Sequence, residues 1–420
     1  MTDPSTTPEP ANPGAEPAGP PSARPPTYQR DAATQTAFDG AAAFLRQNDS
    51  WTDDKGVRRL NTDLVLEGGG VKGIGFAGAV LVLAEAGYHF KRVAGTSAGA
   101  IAATLIAAIE KAGKDMTVIT DYLGRLQFDK FLHEGPLRHL AGQLHMATLA
   151  DATTLITHMG LYSGDYLAEW LTPILRELGV STFADLRITD DPGMSLPEDH
   201  QYTLVVHTSD ISRGELVHLP WDYGYYGVVR DGQDVVGAVR ASMSIPFFFE
   251  PVRFSSKPAT VKVRQPGGTF VDQTYPGGQV TWVDGGMLAN FPIDAFDRID
   301  GAPPRWPTIG IKLSAQPLEM ATDVPAGNTW AEAFRCLQTM LNEWDRYHVD
   351  QTSADRTIFV DNRVTITTDG KSQQIAVSAT DFHLTPEVQQ QLFLNGARAA
   401  TDFVIAKAKT GGVLHPTAAV

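Results

Sequence analysis

The sequence predicts an α/β protein built on a mainly parallel sheet, and three observations carry that expectation. A short apolar run, Leu64-Val65-Leu66, ends at the glycines Gly68-Gly69-Gly70, and a helical stretch from Ile74 to Ala86 follows and stops at Gly87. The unit then repeats: Phe90–Ala94 reads as a strand, Gly95–Gly99 as a turn, and an Ala/Ile/Leu helix continues to about Lys114. Strand, turn and helix in series is how parallel strands are connected. Apolar runs at Tyr202–His207, Val280–Val283, Thr308–Leu313 and Ile358–Val360 supply further strands.

The remaining elements follow in order. Residues 1–30 are dominated by Pro, Ala, Ser, Thr and Gly, with no aromatic before Tyr28. Such a segment buries too little apolar surface to offset its ordering entropy and reads as a disordered tail. Residues 31–61 form a helical lead-in, with Phe38, Ala41, Ala42, Phe44 and Leu45 as its apolar face. The main α/β domain is expected over 62–313. Within it, 115–185 reads as mainly helical, a cap or lid. Residues 314–410 form an extension expected to pack on that domain, with a terminal helix over 385–409 that has Pro386 near its first turn. Residues 411–420 read as frayed.

Charge and cysteine usage exclude several classes. Lys and Arg number 34 against 48 Asp and Glu, a formal charge of −14. That balance disfavours general nucleic-acid binding, which needs clustered cations, and broad adsorption to anionic membranes. A local basic patch stays open. The single cysteine, Cys336, permits neither an internal disulfide nor a Cys-based zinc site. The first residues, MTDPSTTPEP, have no basic and apolar regions of a signal peptide. The longest apolar runs, Ile74–Ala84 and Gly99–Ile109, are too short to span a bilayer. A cytoplasmic protein, peripheral at most to membranes, is expected.

Three motifs carry chemistry. Gly95-Thr96-Ser97-Ala98-Gly99 matches G-x-S-x-G, a strand-to-helix turn that presents a serine hydroxyl beyond the sheet and aims a helix N-terminus at it. Gly68-Gly69-Gly70-Val71-Lys72-Gly73 lies between a strand and a helix, where consecutive glycines let main-chain N–H groups converge on an oxyanion. It is not a P-loop, because Lys72 is followed by Gly73, and no acidic residue stands at the next strand end to suit a dinucleotide. A serine also needs a base. The late histidines His348, His383 and His415 occupy no convincing strand-end loop. Asp284 does better: it follows the apolar Val280–Val283 and precedes Gly285-Gly286. Asn290 reads as a brace for that loop.

Together the three motifs resemble the patatin-like phospholipases, with their G-G-G-x-[KR]-G loop, G-x-S-x-G elbow and D-G-[GA] motif in that order. The block Arg240-Ala241-Ser242-Met243-Ser244-Ile245-Pro246 and Phe249-Glu250-Pro251 is similar to the segment that precedes the family's aspartate. The resemblance implies a three-layer α/β/α sandwich and a Ser97–Asp284 dyad that needs neither histidine, metal nor cofactor. It further implies an oxyanion loop of Gly68, Gly69, Gly70, Lys72 and Gly73, an elbow flanked by Gly95 and Gly99, and loop support from Gly285, Gly286 and Asn290. The activity it implies is hydrolysis of a phospholipid or other acyl lipid, of phospholipase A or lysophospholipase type. Two alternatives stay open: a transacylase, and a regulated effector of toxin or antiphage type that awaits a protein or small-ligand activator. Composition is compatible with a bacterial source.

Other patterns admit two readings. The apolar residues of 115–160, among them Tyr122, Leu126, Phe131, Leu140 and Met146, suit a core layer or a surface that caps an acyl groove or touches a membrane. Phe247-Phe248-Phe249 suits an acyl pocket or ordinary packing. His133, His139 and His145 are six apart, off any single helix face, and give no metal site.

Overall fold

The computed structural model describes residues 28–52, 56, 58–132, 162, 164–189, 196–264, 269–298, 304, 306–314, 351–368, 371–379 and 381–412. The helices are α1 (Ala32–Asn48), α2 (Ile74–Ala86), α3 (Ala98–Ala112), α4 (Val118–Gly124), α5 (Asp165–Glu177), α6 (Val235–Ser242), α7 (Gln351–Ala354) and α8 (Pro386–Lys409). The strands are β1 (Trp51–Thr52), β2 (Arg58–Leu66), β3 (Tyr88–Thr96), β4 (Leu204–Asp210), β5 (Glu215–Leu219), β6 (Val252–Ser256), β7 (Ala259–Arg264), β8 (Phe270–Tyr275), β9 (Gly278–Asp284), β10 (Thr308–Lys312), β11 (Thr357–Phe359), β12 (Arg363–Thr368) and β13 (Lys371–Ala376).

The core of the sheet is five parallel strands in the order β11-β10-β2-β3-β4. β2, β4 and β10 are buried along nearly their whole lengths, as strands covered on both faces must be. Antiparallel strands complete it: β5 and β9 pair with β4, β6 pairs with β9, and β1 pairs with β2. The mainly parallel sheet that the sequence predicts is present, and so are helices at 32–48, 74–86, 98–112 and 386–409. β3 runs past the expected Phe90–Ala94 at both ends. The hairpins β7–β8 and β12–β13 lie where the sequence predicts no strand, because strands with at most one face turned inward carry no continuous apolar run.

The edges of each helix follow from single residues. Asp31 caps α1 by accepting the N–H groups of Ala33 and Thr34. Gly87 ends α2 at φ 103°, a left-handed conformation that costs glycine little. α2 and α3 are apolar on nearly all sides, as helices packed between other elements require. β2 to β3 and β3 to β4 step the same way across the sheet, so right-handed crossovers place α2 and α3 on one face.

The extension beyond residue 313 joins this frame. β11 adds to the parallel sheet, and α8 crosses α2 with the backbones almost touching. A Cβ on Gly396 would fall 1.9 Å from the Gly75 carbonyl oxygen, and one on Gly78 would fall 2.0 Å from that of Phe393. The tail before residue 28, residues 133–161 of the expected cap, the three regularly spaced histidines, His348, Cys336, His415 and most of the frayed end lie outside the described residues.

Candidate active site

Ser97 sits between β3 and α3 at φ 53°, ψ −121°. Few side-chain-bearing residues adopt such a backbone, and it persists only where the surroundings over-determine it. The surroundings here are tight. A Cβ on Gly95 would lie 2.2 Å from the Gly99 carbonyl oxygen, and one on Gly99 would lie 2.4 Å from that of Leu66. Both positions exclude any side chain, so the elbow is pressed onto its own start and onto the end of β2. Ser97 is 6% exposed. Its N–H donates to Ser242 Oγ at 2.9 Å, and the Ser242 hydroxyl donates to the His207 carbonyl at 2.6 Å.

Asp284 reaches the same point from the other direction. On β4, His207 pairs with Thr96 and His218, and Thr208 pairs with Val217 and Asp284. β5 thus lines one edge of β4, and the other edge carries β3 first and β9 beyond β3's end. The hydroxyl-bearing turn after Thr96 therefore opens directly toward Asp284. Gly285 is packed into this junction: a Cβ there would be 2.3 Å from the His207 carbonyl oxygen.

The Asp284 carboxylate is 2% exposed. Its Oδ1 accepts the Gly286 N–H at 2.8 Å, and its main-chain N–H is held by the Ser244 carbonyl at 2.8 Å. Oδ2 is buried, and among the described residues no hydrogen bond of full geometry reaches it. Burial pushes the carboxyl pKa up to about 7, against the opposing pull of the Ser97 hydroxyl and the Gly286 N–H.

The glycine loop passes alongside. The Gly68 N–H donates to the Asn290 carbonyl at 2.9 Å, and Asn290 Nδ2 returns a bond to the Gly68 carbonyl at 3.1 Å. Asn290 thus ties the two loops together, and it occupies the first N–H of the glycine loop. Val71 N–H is taken by the Ala379 carbonyl at 3.1 Å, and Lys72 N–H by that of Gly69. Among the described residues, no acceptor takes the N–H groups of Gly69 and Gly70. Gly73 packs against the elbow, where an added Cβ would be 3.2 Å from that of Ala98.

Lys72 turns toward the end of β10. Its Nζ lies 3.5 Å from the Leu313 carbonyl. Desolvation holds its ammonium pKa below the ordinary lysine value, with Glu67 opposing and Lys312 adding to the shift. Glu67, the last residue before the glycines, is buried and accepts bonds from Lys312 Nζ and the Leu313 N–H. Two ammonium groups and one carboxylate therefore sit behind the loop.

Several of these residues carry no motif of their own. Ser242 and Ser244 belong to a block that the family resemblance marks without assigning a role. Glu67, Lys312 and Ala379 belong to none. Their only sequence signal is a charge or a carbonyl at a strand end, and many residues share that. His207 is fully buried and held neutral chiefly by burial, with Nδ1 3.3 Å from the Gly95 carbonyl. It supports the elbow strand. The aromatic run divides: Phe249 is core, Phe248 stacks on Phe382 at 5.3 Å, and Phe247 is 37% exposed. Among the described residues no group of three or more His, Cys, Asp or Glu could hold a metal ion.

A model of the Patatin-like phospholipase family matches residues 64–297. The chain is 32% identical over 345 residues to the uncharacterized protein YqhO of Bacillus subtilis, covering 81% of this chain and 97% of that protein. Among solved structures, it is similar to VipD from Legionella pneumophila, with 16% identity, a TM-score of 0.41, and 85% of this chain and 70% of that chain covered. It is also similar to the ExoU-SpcU complex from the type III secretion system of Pseudomonas aeruginosa, with 16% identity and a TM-score of 0.36. There the match covers 82% of this chain and spans 51% of that one.

Proposed function

This chain belongs to the patatin-like phospholipase family, and on that premise we propose that it is a lipid acyl hydrolase of phospholipase A or lysophospholipase type, working through an acyl-Ser97 intermediate. The observation that carries this reading is the end-to-end placement of Thr96 and Asp284 on one edge of β4, which sets a buried carboxylate beside a strained serine. Asp284 takes the Ser97 proton as the hydroxyl attacks an ester carbonyl. Main-chain N–H groups of Gly69 and Gly70 receive the oxyanion, with the N-terminus of α3 adding its dipole. The leaving alcohol departs with the proton. Water, deprotonated by Asp284, then attacks the acyl-enzyme and releases a fatty acid. No histidine is needed, because a base whose pKa stands near 7 already matches neutral pH. Among the described residues no helix is long and apolar enough to cross a membrane.

Mass spectrometry of mixed phospholipid vesicles after incubation with wild type, Ser97→Ala and Asp284→Ala tests the reading. Fatty acid released by wild type alone supports it, and the product masses name the bond cut. Equal release by all three sinks the site assignment.

A further inference from the structure

We propose that the two-stranded arm β6–β9, with the hairpin β7–β8 at its end, is the surface by which this protein docks on an anionic lipid bilayer. The inference rests on the lipid-hydrolase reading for its biological sense, but its geometry stands independently.

The arm projects on the active-site side of the molecule. β9 runs antiparallel to β4 and meets Thr208 only at its last residue, Asp284. Its first residue, Gly278, therefore lies about 20 Å farther out, beyond the ends of the parallel strands, at about 3.4 Å per residue. β6 accompanies it to that end, pairing Ser256 with Gly278, and the chain passes from there into the separate hairpin β7–β8. Its base is anchored: Lys257 N–H donates to the Tyr226 carbonyl, and Tyr225 and Tyr275 pack at 5.1 Å. The base of the arm is thus held in place next to the site.

Its surface is unlike the rest of the molecule. Phe270 is 62% exposed and Val271 43% exposed, on adjacent positions of β8 that face opposite ways. Two more exposed apolar residues stand at the same end of the sheet: Ile211, directly after β4, and Phe247, three residues after the Ser244 that holds Asp284. Among the described residues, four of the six large apolar side chains that are exposed therefore gather on one end, Phe44 and Val229 being the others. The stretch from Val252 to Val280 carries Arg253, Lys257, Lys262 and Arg264 against one acid, Asp272. Lys262 is exposed on the hairpin face that also bears Phe270. A locally cationic arm that exposes Phe270 and Val271, on a chain of net charge −14, matches an anionic interface with an apolar interior. The acidic remainder is repelled by the same surface, so adsorption is directional and presents the Ser97 end to the lipid.

The test uses the full chain carrying Ser97→Ala, so that binding is read without turnover. Sedimentation is measured with vesicles of phosphatidylcholine alone and of phosphatidylcholine with phosphatidylserine. The expected result is binding to the phosphatidylserine vesicles, weakened about tenfold or more by Phe270→Asp with Val271→Asp. Lys262→Glu should weaken it several-fold, and raised salt should weaken it further. Both variants are checked for unchanged thermal unfolding. In the otherwise wild-type chain, the ratio of vesicle hydrolysis to hydrolysis of a monomeric short-chain ester should fall with binding. No binding by the parent chain, or equal binding by the double variant, overturns the proposal. So does a fall from dimer to monomer in the double variant with vesicle binding intact, which makes the arm a contact between copies. Binding through the arm without any lipid hydrolysis by wild type would leave the docking surface standing and remove the catalytic reading.

Discussion

Thr96 and Asp284 occupy consecutive places along one edge of β4, Thr96 opposite His207 and Asp284 opposite Thr208. A parallel strand and an antiparallel strand share that edge end to end. The residue after Thr96 is Ser97, so the meeting of two strand ends is what joins hydroxyl to carboxylate.

On the proposed mechanism, the buried carboxylate makes the reaction pH-dependent. With the Asp284 pKa near 7, the fraction of active base rises tenfold per pH unit below that value and levels off above it. A profile of kcat/KM on a soluble ester should show one ascending limb with its midpoint near 7. A midpoint near 4 would mean that the base is a solvated carboxylate elsewhere.

The same burial opposes stability. The folded pKa of about 7 exceeds the unfolded value of about 3.9, so the native state binds the proton more tightly. Stability is fully present below about pH 4 and is lost as pH rises toward 7, by about 4 kcal/mol. Asp284→Asn keeps an acceptor for the Gly286 N–H and removes this penalty. It should be inactive yet more stable than wild type at pH 8, with the gain vanishing near pH 4. Urea unfolding at both pH values decides it.

On the proposed mechanism Ser242 positions the elbow. Its hydroxyl accepts the Ser97 N–H and donates to the His207 carbonyl. Ser242→Ala leaves both groups buried and unpaired, at a cost of about 1–3 kcal/mol. Loosening of the elbow should also lower kcat by about tenfold to a hundredfold. Unchanged kcat with reduced stability would assign Ser242 to structure alone.

Glu67 and Lys312 form a buried pair behind the glycine loop. Lys312→Met removes the ammonium bonded to the buried carboxylate, leaving it the Leu313 N–H and the nearby Lys72, and should destabilise by about 1–3 kcal/mol. Adding Glu67→Gln should recover part of that loss, which a double-mutant cycle in denaturant would measure. Strict additivity would show that the two do not interact.

Gly396 lets α8 lie against α2. A Cβ 1.9 Å from the Gly75 carbonyl oxygen forces the helices apart, so Gly396→Ala should cost at least about 1–3 kcal/mol. α2 begins just beyond the glycine loop, so the activity of this variant should fall as well. A neutral substitution in thermal unfolding would mean that α8 is only loosely attached.

Much of the frame is legible in the residues themselves. Leu64–Leu66, Val280–Val283 and the glycine-bounded helix Ile74–Ala86 announce themselves because buried strands and helices need contiguous apolar residues within a short span. The exposed hairpin of Lys262 and Phe270 leaves no such trace, since water satisfies both its faces. At the site, Ser97, Asp284 and the glycines are legible because their turns demand particular residues. Ser242, Lys312 and Ala379 are not, since a hydroxyl, an ammonium and a carbonyl become partners only by position.

The residues alone determined where the chain turns, which serine stands on a strand-to-helix elbow and which segments must be buried, because those properties depend on local backbone freedom and on apolar content. Tertiary structure decided that β9 continues the edge that β3 vacates, that the first glycine N–H is spent on Asn290, and that the Asp284 carboxyl is buried with its pKa raised to about 7. Those outcomes depend on strand register and on desolvation by distant segments, quantities that exist only once the chain has closed on itself.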